Sequence, residues 1–148
     1  MAGNLIIVHG GGPTAVINAS LYGAIRQAQE SPEVDRVLVA IGGTGGLLKE
    51  HIKDVTDYPD EALRGLLTSP ASAIGTSRDA LEKPEYEAMV PILQKHNIRY
   101  VLMNGGNGTM DTCGKLFDDQ ICQMGAHVAK VGSPAHGENG LHNGRSPA

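Results

Sequence analysis

The sequence predicts an α/β fold: a doubly wound, mostly parallel sheet with helices on both faces, followed by a flexible C-terminal tail. Three observations carry this expectation. Short apolar runs rich in β-branched residues recur along the chain, as strands buried on both faces require. Three glycine clusters, at 10–12, 42–46 and 105–108, each directly follow such a run. Segments with helical apolar spacing alternate with the runs, and strand–helix alternation is the pattern of a parallel sheet covered on both sides.

Residues 4–8 (NLIIV) form the first expected strand, which stops at glycine. Residues 15–30 follow as a helix, with Val16, Leu21, Ala24 and Ile25 near one face and Arg26, Gln27 and Glu30 off it. Pro32 closes it, and residues 36–41 (RVLVAI) supply a second strand that runs into the glycines at 42–46. Short helices are expected over 47–54 and 60–67, the second with Asp60 as N-cap. Residues 71–74 read as a short strand leading into the turn 75–79 (GTSRD), and 84–96 as a helix with Pro84 in its first turn. The run 99–103 (RYVLM) is a strand, 104–109 (NGGNGT) the next turn, 110–124 a helix, and 127–131 (HVAKV) a last strand. In such an architecture the strand-to-helix turns share one edge of the sheet, so those at 9–14, 75–79 and 104–109 are expected to converge where ligands bind.

The chain has 148 residues with 12 Lys+Arg against 16 Asp+Glu, a formal net charge of −4. That balance sets up no field to gather nucleic acid or an anionic membrane. The apolar runs are strand-sized, well short of the ~20 residues that cross a bilayer. No secretory signal is visible at the N-terminus, and a cytoplasmic location is expected. Cys113 and Cys122, nine apart, match neither a CxxC metal spacing nor a disulfide framework, so reduced thiols are expected. The six histidines show no HxxxH or HxH spacing, and His9, beside the first glycine turn, reads as a strand-end packing residue. One domain over 1–131 is expected. Residues 132–148 carry Leu141 as their one large apolar side chain and cannot build a core, hence the flexible tail.

Backbone N–H groups at a helix N-terminus attract anions, and glycine removes the side chain that would hold a phosphate away. A single glycine turn is equally a device for left-handed backbone. The 105–109 turn is more specific, because an amide and a hydroxyl sit inside it. Arg78, the one cation among the turns, offers a planar fork of donors to phosphate oxygens, or pairs at the surface with Asp79 or Glu82. Asp111 falls where a helix dipole favours a carboxylate.

Taken together, three motifs resemble the phosphofructokinases, and within them the branch that uses inorganic diphosphate. Gly11-Gly12-Pro-Thr-Ala-Val-Ile-Asn18-Ala-Ser20 is similar to that branch's first glycine loop, Gly75-Thr-Ser-Arg78 to the family's arginine turn, and the stretch from Asn104 to Thr112 to its second phosphate loop. The resemblance covers about residues 3 to 134. It implies a Rossmann-like half of a phosphofructokinase fold whose donor-phosphate site comprises Gly11, Arg78, Asp79, Gly106, Asn107, Gly108 and Thr109. Gly11 would offer its N–H to the transferring phosphoryl group, Arg78 would bridge the phosphates, and Asn107 would hold Mg²⁺.

Two positions depart from the family pattern. Diphosphate users typically have an acidic residue where Gly108 stands, and glycine is the pattern of ATP users. Past Val131 the family's Pro-Lys-Thr-Ile-Asp-Asn-Asp run aligns with residues 134–140, placing Glu138 at the base that deprotonates the sugar, Ala135 at the lysine and Gly140 at the second aspartate. The resemblance therefore implies phosphorylation of fructose 6-phosphate to fructose 1,6-bisphosphate, with diphosphate or ATP and Mg²⁺. The chain reads as a truncated N-terminal half, either homo-oligomeric or dependent on the missing half, with exposed apolar surface driving association. Two alternatives remain: a lipid- or NAD-kinase-like enzyme, against which the first loop argues, and a non-catalytic phosphate-binding or pseudoenzyme subunit.

Overall fold

A computed structural model describes residues 3–10, 17–77, 82–105, 109, 111, 112, 114 and 127–132, the last group by its backbone. Their elements run β1 (Gly3–His9), α1 (Ile17–Glu30), β2 (Val34–Ala40), α2 (Gly43–Leu48), β3 (Ile52–Asp54), α3 (Asp60–Leu63) with a 3-10 turn (Arg64–Leu67), α4 (Lys83–Lys95), β4 (Ile98–Gly105) and β5 (His127–Gly132). The five strands form one sheet in the order β3-β2-β1-β4-β5. All pairs are parallel except β2–β3, which is antiparallel. The chain steps from β1 to β2 on one side, then returns to β4 on the other, so the strand order reverses between β1 and β4.

Alternation along the strands divides the core. Ile6, Val8, Leu38 and Ala40 face α2 and α4, where Leu47, Tyr86, Met89 and Leu93 are buried. Ile7, Val37 and Val39 face the opposite layer, packing on Leu21, Ile25 and Ala28 of α1 and Leu63 of α3. Burial of Leu21, Ile25 and Ala28 follows the helical period, and burial of Tyr86, Met89 and Leu93 does the same in α4, whose Pro91 stands on the exposed face. The doubly wound, mostly parallel α/β fold is thus as expected. β5 extends to Gly132, one residue past the expected domain end.

Three local expectations fail. The helix expected over 47–54 is instead the end of α2, a left-handed Glu50 (φ 57°), and the edge strand β3. Ile41 N–H donates to His51 O (2.8 Å) and Val55 N–H to Val37 O (2.9 Å), so pairing with β2 overrides local propensity. Residues 71–74 form no strand, because Ala71 adopts φ 60° and the segment bonds to side chains rather than to a neighbouring strand. Asp60 is not the N-cap; Pro59 is, and the Asp60 carboxylate accepts from the Tyr22 hydroxyl and pairs with Arg26 and Arg64. The Tyr22 hydrogen bond, then Arg64, hold that carboxyl below its ordinary range.

Among the described residues no helix is long and apolar enough to cross a membrane. Their exposed large hydrophobic side chains are Ile41 and Leu67.

Candidate functional site

The site is built where the sheet changes direction. At the carboxyl ends of the central strands His9 pairs with Asn104, and the Gly10 N–H donates to Asn104 O at 2.8 Å. Thr109, at the start of helical backbone, is buried, and its Oγ1 occupies the space a side chain would need at either strand end. A Cβ on Gly10 would lie 2.2 Å from that oxygen, and one on Gly105 2.3 Å from it and 2.6 Å from Gly10 O. Glycine at both positions is therefore a condition for threading a hydroxyl between β1 and β4. In an open α/β sheet this reversal point is where ligands bind, outside the strand ends.

The neighbouring turns close on the same edge. Gly42 (φ 89°) donates to Ile74 O at 2.7 Å, and Gly43 (φ 66°) is so close to the 75–77 segment that a Cβ would fall 2.6 Å from Ser77 N and 3.0 Å from His9 O. Three of the six residues of α2 are glycine, each costing about 1 kcal/mol of helix propensity against alanine. Its N-cap, Gly42, has no side chain to offer. Ser77 supplies the cap from 32 residues away, its Oγ accepting from the Gly45 N–H and bonding the Thr44 hydroxyl, both at 3.1 Å. The glycines at 42–46 thus join the rim formed by the other three turns.

Residues 69–77 belong to no helix or strand and are held by side chains from elsewhere. Asn18 is fully buried; its Nδ2 donates to Ser69 O (3.1 Å) and its Oδ1 accepts from Ala73 N–H (2.7 Å). His9, also fully buried, bonds through Nδ1 to Ser72 Oγ at 2.7 Å. Ser72 Oγ also approaches Gly75 O at 3.3 Å, and Nε2 of His9 has no partner among the described residues. Burial lowers the His9 pKa to about 4, keeping the ring neutral.

Replacing Asn18 by alanine strands one buried donor and one acceptor, and Asn18→Ala should cost about 2–3 kcal/mol. Urea unfolding midpoints test this; a loss under about 1 kcal/mol would mean that water replaces the amide.

Of the residues singled out from the sequence, Thr109 is buried against Gly10 and Gly105, and Asp111 is exposed on helical backbone. Gly11, Arg78, Asp79, Gly106, Asn107, Gly108 and Glu138 lie outside the described residues, but the residues flanking their turns, Gly10, Ser77, Gly105 and Thr109, meet along this edge. His9 is the strand-end packing residue expected, with a hydrogen-bonding role beyond packing. Ser72, Ser77 and Thr44 were passed over. Their signal was small hydroxyl residues beside left-handed glycines, legible only once the partners are known.

Residues 4–139 match the family profile described as Phosphofructokinase. The chain is 33% identical over 145 residues to a pyrophosphate–fructose 6-phosphate 1-phosphotransferase of Halomonas elongata, covering 93% of this chain and 34% of that one. To the protein of the same name from Rhodospirillum rubrum it is 34% identical over 110 residues, 74% of this chain and 27% of the other. The crystal structure of a pyrophosphate-dependent phosphofructokinase from Marinobacter aquaeolei superposes with a TM-score of 0.74 at 34% identity, over 88% of this chain and 32% of that one. The chain spans between about a quarter and a third of the length of these three relatives.

Proposed function

The chain belongs to the phosphofructokinase family, and from that premise we propose that its first 131 residues form the phosphoryl-donor domain of a cytoplasmic phosphotransferase. The reaction passes the terminal phosphoryl group of diphosphate to fructose 6-phosphate, giving fructose 1,6-bisphosphate. The observation that carries this reading is the Thr109 hydroxyl lodged between Gly10 and Gly105 at the sheet's reversal point. Glycine at both strand ends admits that hydroxyl, and the glycine turns that follow would offer their N–H groups to phosphate oxygens. Around that cradle Gly11 would present its N–H to the phosphoryl group in transfer. Arg78 and Asp79 would line the second turn, and Gly106, Asn107, Gly108 and Thr109 the third.

Phosphoryl transfer asks for positioning and charge neutralisation more than covalent chemistry. Among the described residues no group of three or more His, Cys, Asp or Glu could cage a metal. Neutral oxygens suit Mg²⁺ carried in on the donor's own phosphates, the usual mode for that ion. Asn107 would hold it, and bound Mg²⁺ would screen the phosphate charge that a single arginine cannot balance. Glu138 would take the proton from the sugar hydroxyl. The grip on the sugar phosphate would come from beyond this chain, from another copy or the remaining two thirds of a full-length relative.

ATP is the second reading, favoured by the glycine at position 108, the pattern of ATP users where diphosphate users carry an acid. Calorimetric titration with Mg²⁺-diphosphate and with Mg²⁺-ATP separates the two, and no uptake of either would sink the donor-domain reading. Arg78→Ala should weaken binding of the preferred donor by about 10- to 100-fold, the loss of one desolvated charge-assisted contact. Unchanged affinity would return Arg78 to the surface.

A further inference from the structure

The chain enters Arg78 from a segment that belongs to no helix or strand. Its backbone is held by the Gly42 N–H on Ile74 O, and side chains fix residues 72–77 at three further points: Ser72 to the end of β1 through His9, Ala73 to α1 through Asn18, and Ser77 to the start of α2 through Thr44 and Gly45. The Asn18 and Ser77 contacts tie the segment to helices. His9 alone ties it to the strand end that also carries Gly10, and so to the cradle around Thr109. His9 Nδ1 lies 2.7 Å from Ser72 Oγ, Ser72 Oγ lies 3.3 Å from Gly75 O, and Gly75 sits at φ 72°, where a loose turn would have other conformations open to it.

We infer that His9 is a positioning residue for the phosphoryl donor: through the relay His9–Ser72–Gly75 it locks the arginine-bearing turn to the strand end that cradles the phosphates. The inference rests on the donor-domain reading above. It gives a buried, neutral imidazole at a strand end a use that packing alone does not require. A phosphate held between two turns needs both at a fixed separation, and misplacement by an ångström is costly in a site of this kind.

Calorimetry with Mg²⁺-diphosphate on the full chain, well below its melting temperature, tests it. Ser72→Ala keeps the backbone and removes the relay's central hydroxyl; it should lower affinity about tenfold. His9→Leu should do the same, and the double variant should lose no more than either alone, because both break one connection. His9→Asn puts an amide N–H at the Nδ1 position and should restore affinity to within about threefold of the unaltered chain. A merely structural histidine gives another pattern: affinity tracks the melting temperature, losses add, and asparagine rescues nothing. That pattern, or unchanged affinity in all variants while the unaltered chain binds, overturns the inference and leaves the donor-domain reading intact. No diphosphate uptake by the unaltered chain overturns both.

Discussion

Gly46→Ala should destabilise the chain by about 3 kcal/mol, the upper end for inserting a methyl into a packed interior. A Cβ at Gly46 would lie 1.7 Å from the Ile41 carbonyl oxygen and 2.6 Å from its carbon, both backbone atoms that cannot rotate aside. Nor can the helix shift cheaply. Gly46 N–H donates to Gly42 O, Gly46 O accepts from His51 N–H at 2.8 Å, and the adjoining Leu47 is buried in the layer shared with α4. Moving α2 would therefore open the core and pull Gly43 away from Ser77. Gly23→Ala is the matched control, since nothing lies within 4 Å of its would-be Cβ on the exposed face of α1. It should gain about 0.5–1 kcal/mol through helix propensity and a less flexible unfolded chain. Urea unfolding of the two variants should move in opposite directions. If Gly46→Ala unfolds at the same urea concentration as the unaltered chain, α2 is not held against Ile41 as described.

Mild acid should weaken the fold, and His9 is the reason. Its pKa falls from the ordinary 6.5 to about 4 because the ring is fully buried. Above pH 6.5 neither the folded nor the unfolded chain is protonated there, and stability is undiminished. As pH falls toward 4 the unfolded chain takes up a proton that the folded chain refuses, which costs about 1.4 kcal/mol per pH unit and about 3 kcal/mol over the whole window. Against total stabilities of roughly 5–15 kcal/mol that is a large share. The carboxyls of Glu50, Asp54 and Asp60 are all lowered, by hydrogen bonds from Lys95, Thr56 and Tyr22 respectively, so their stabilising effect is lost only at more acid pH. Unfolding midpoints between about pH 5 and 6.5, compared between the unaltered chain and His9→Asn, therefore report the histidine. The slope should flatten in His9→Asn, which cannot titrate. An equal slope in that variant would assign the acid sensitivity to another group.

The two effects differ in how far the sequence announced them. A glycine cluster after an apolar run marks a strand end, and the described glycines of those clusters, Gly10, Gly42, Gly43 and Gly105 among them, do lie at the carboxyl edge of the sheet. The type of turn was not legible. Residues 42–46 read as a loop because glycine is a poor helix former, yet α2 begins at Gly43, since Ser77 caps it and close packing on Ile41 and His9 excludes any larger residue. Likewise 47–54 contains no strand-like run. Ile52–Asp54 becomes a strand because β2 offers a free edge.

Composition and periodicity by themselves determined the α/β class and the existence of the strands found at Gly3–His9, Val34–Ala40 and Ile98–Gly105 and of the helices at Ile17–Glu30 and Lys83–Lys95. These depend on which side chains repeat at period 2 or 3.6, a property carried locally by the chain. The same local record carried the three phosphate-loop motifs that place the chain among the phosphofructokinases. The network around the site was decided only in three dimensions. His9 meets Ser72 across 63 residues, Asn18 meets Ala73 across 55 and Ser77 meets Gly45 across 32, and no local preference encodes such pairings. They exist because a parallel sheet delivers every strand end to one edge, where buried polar groups must find partners among whatever else arrives.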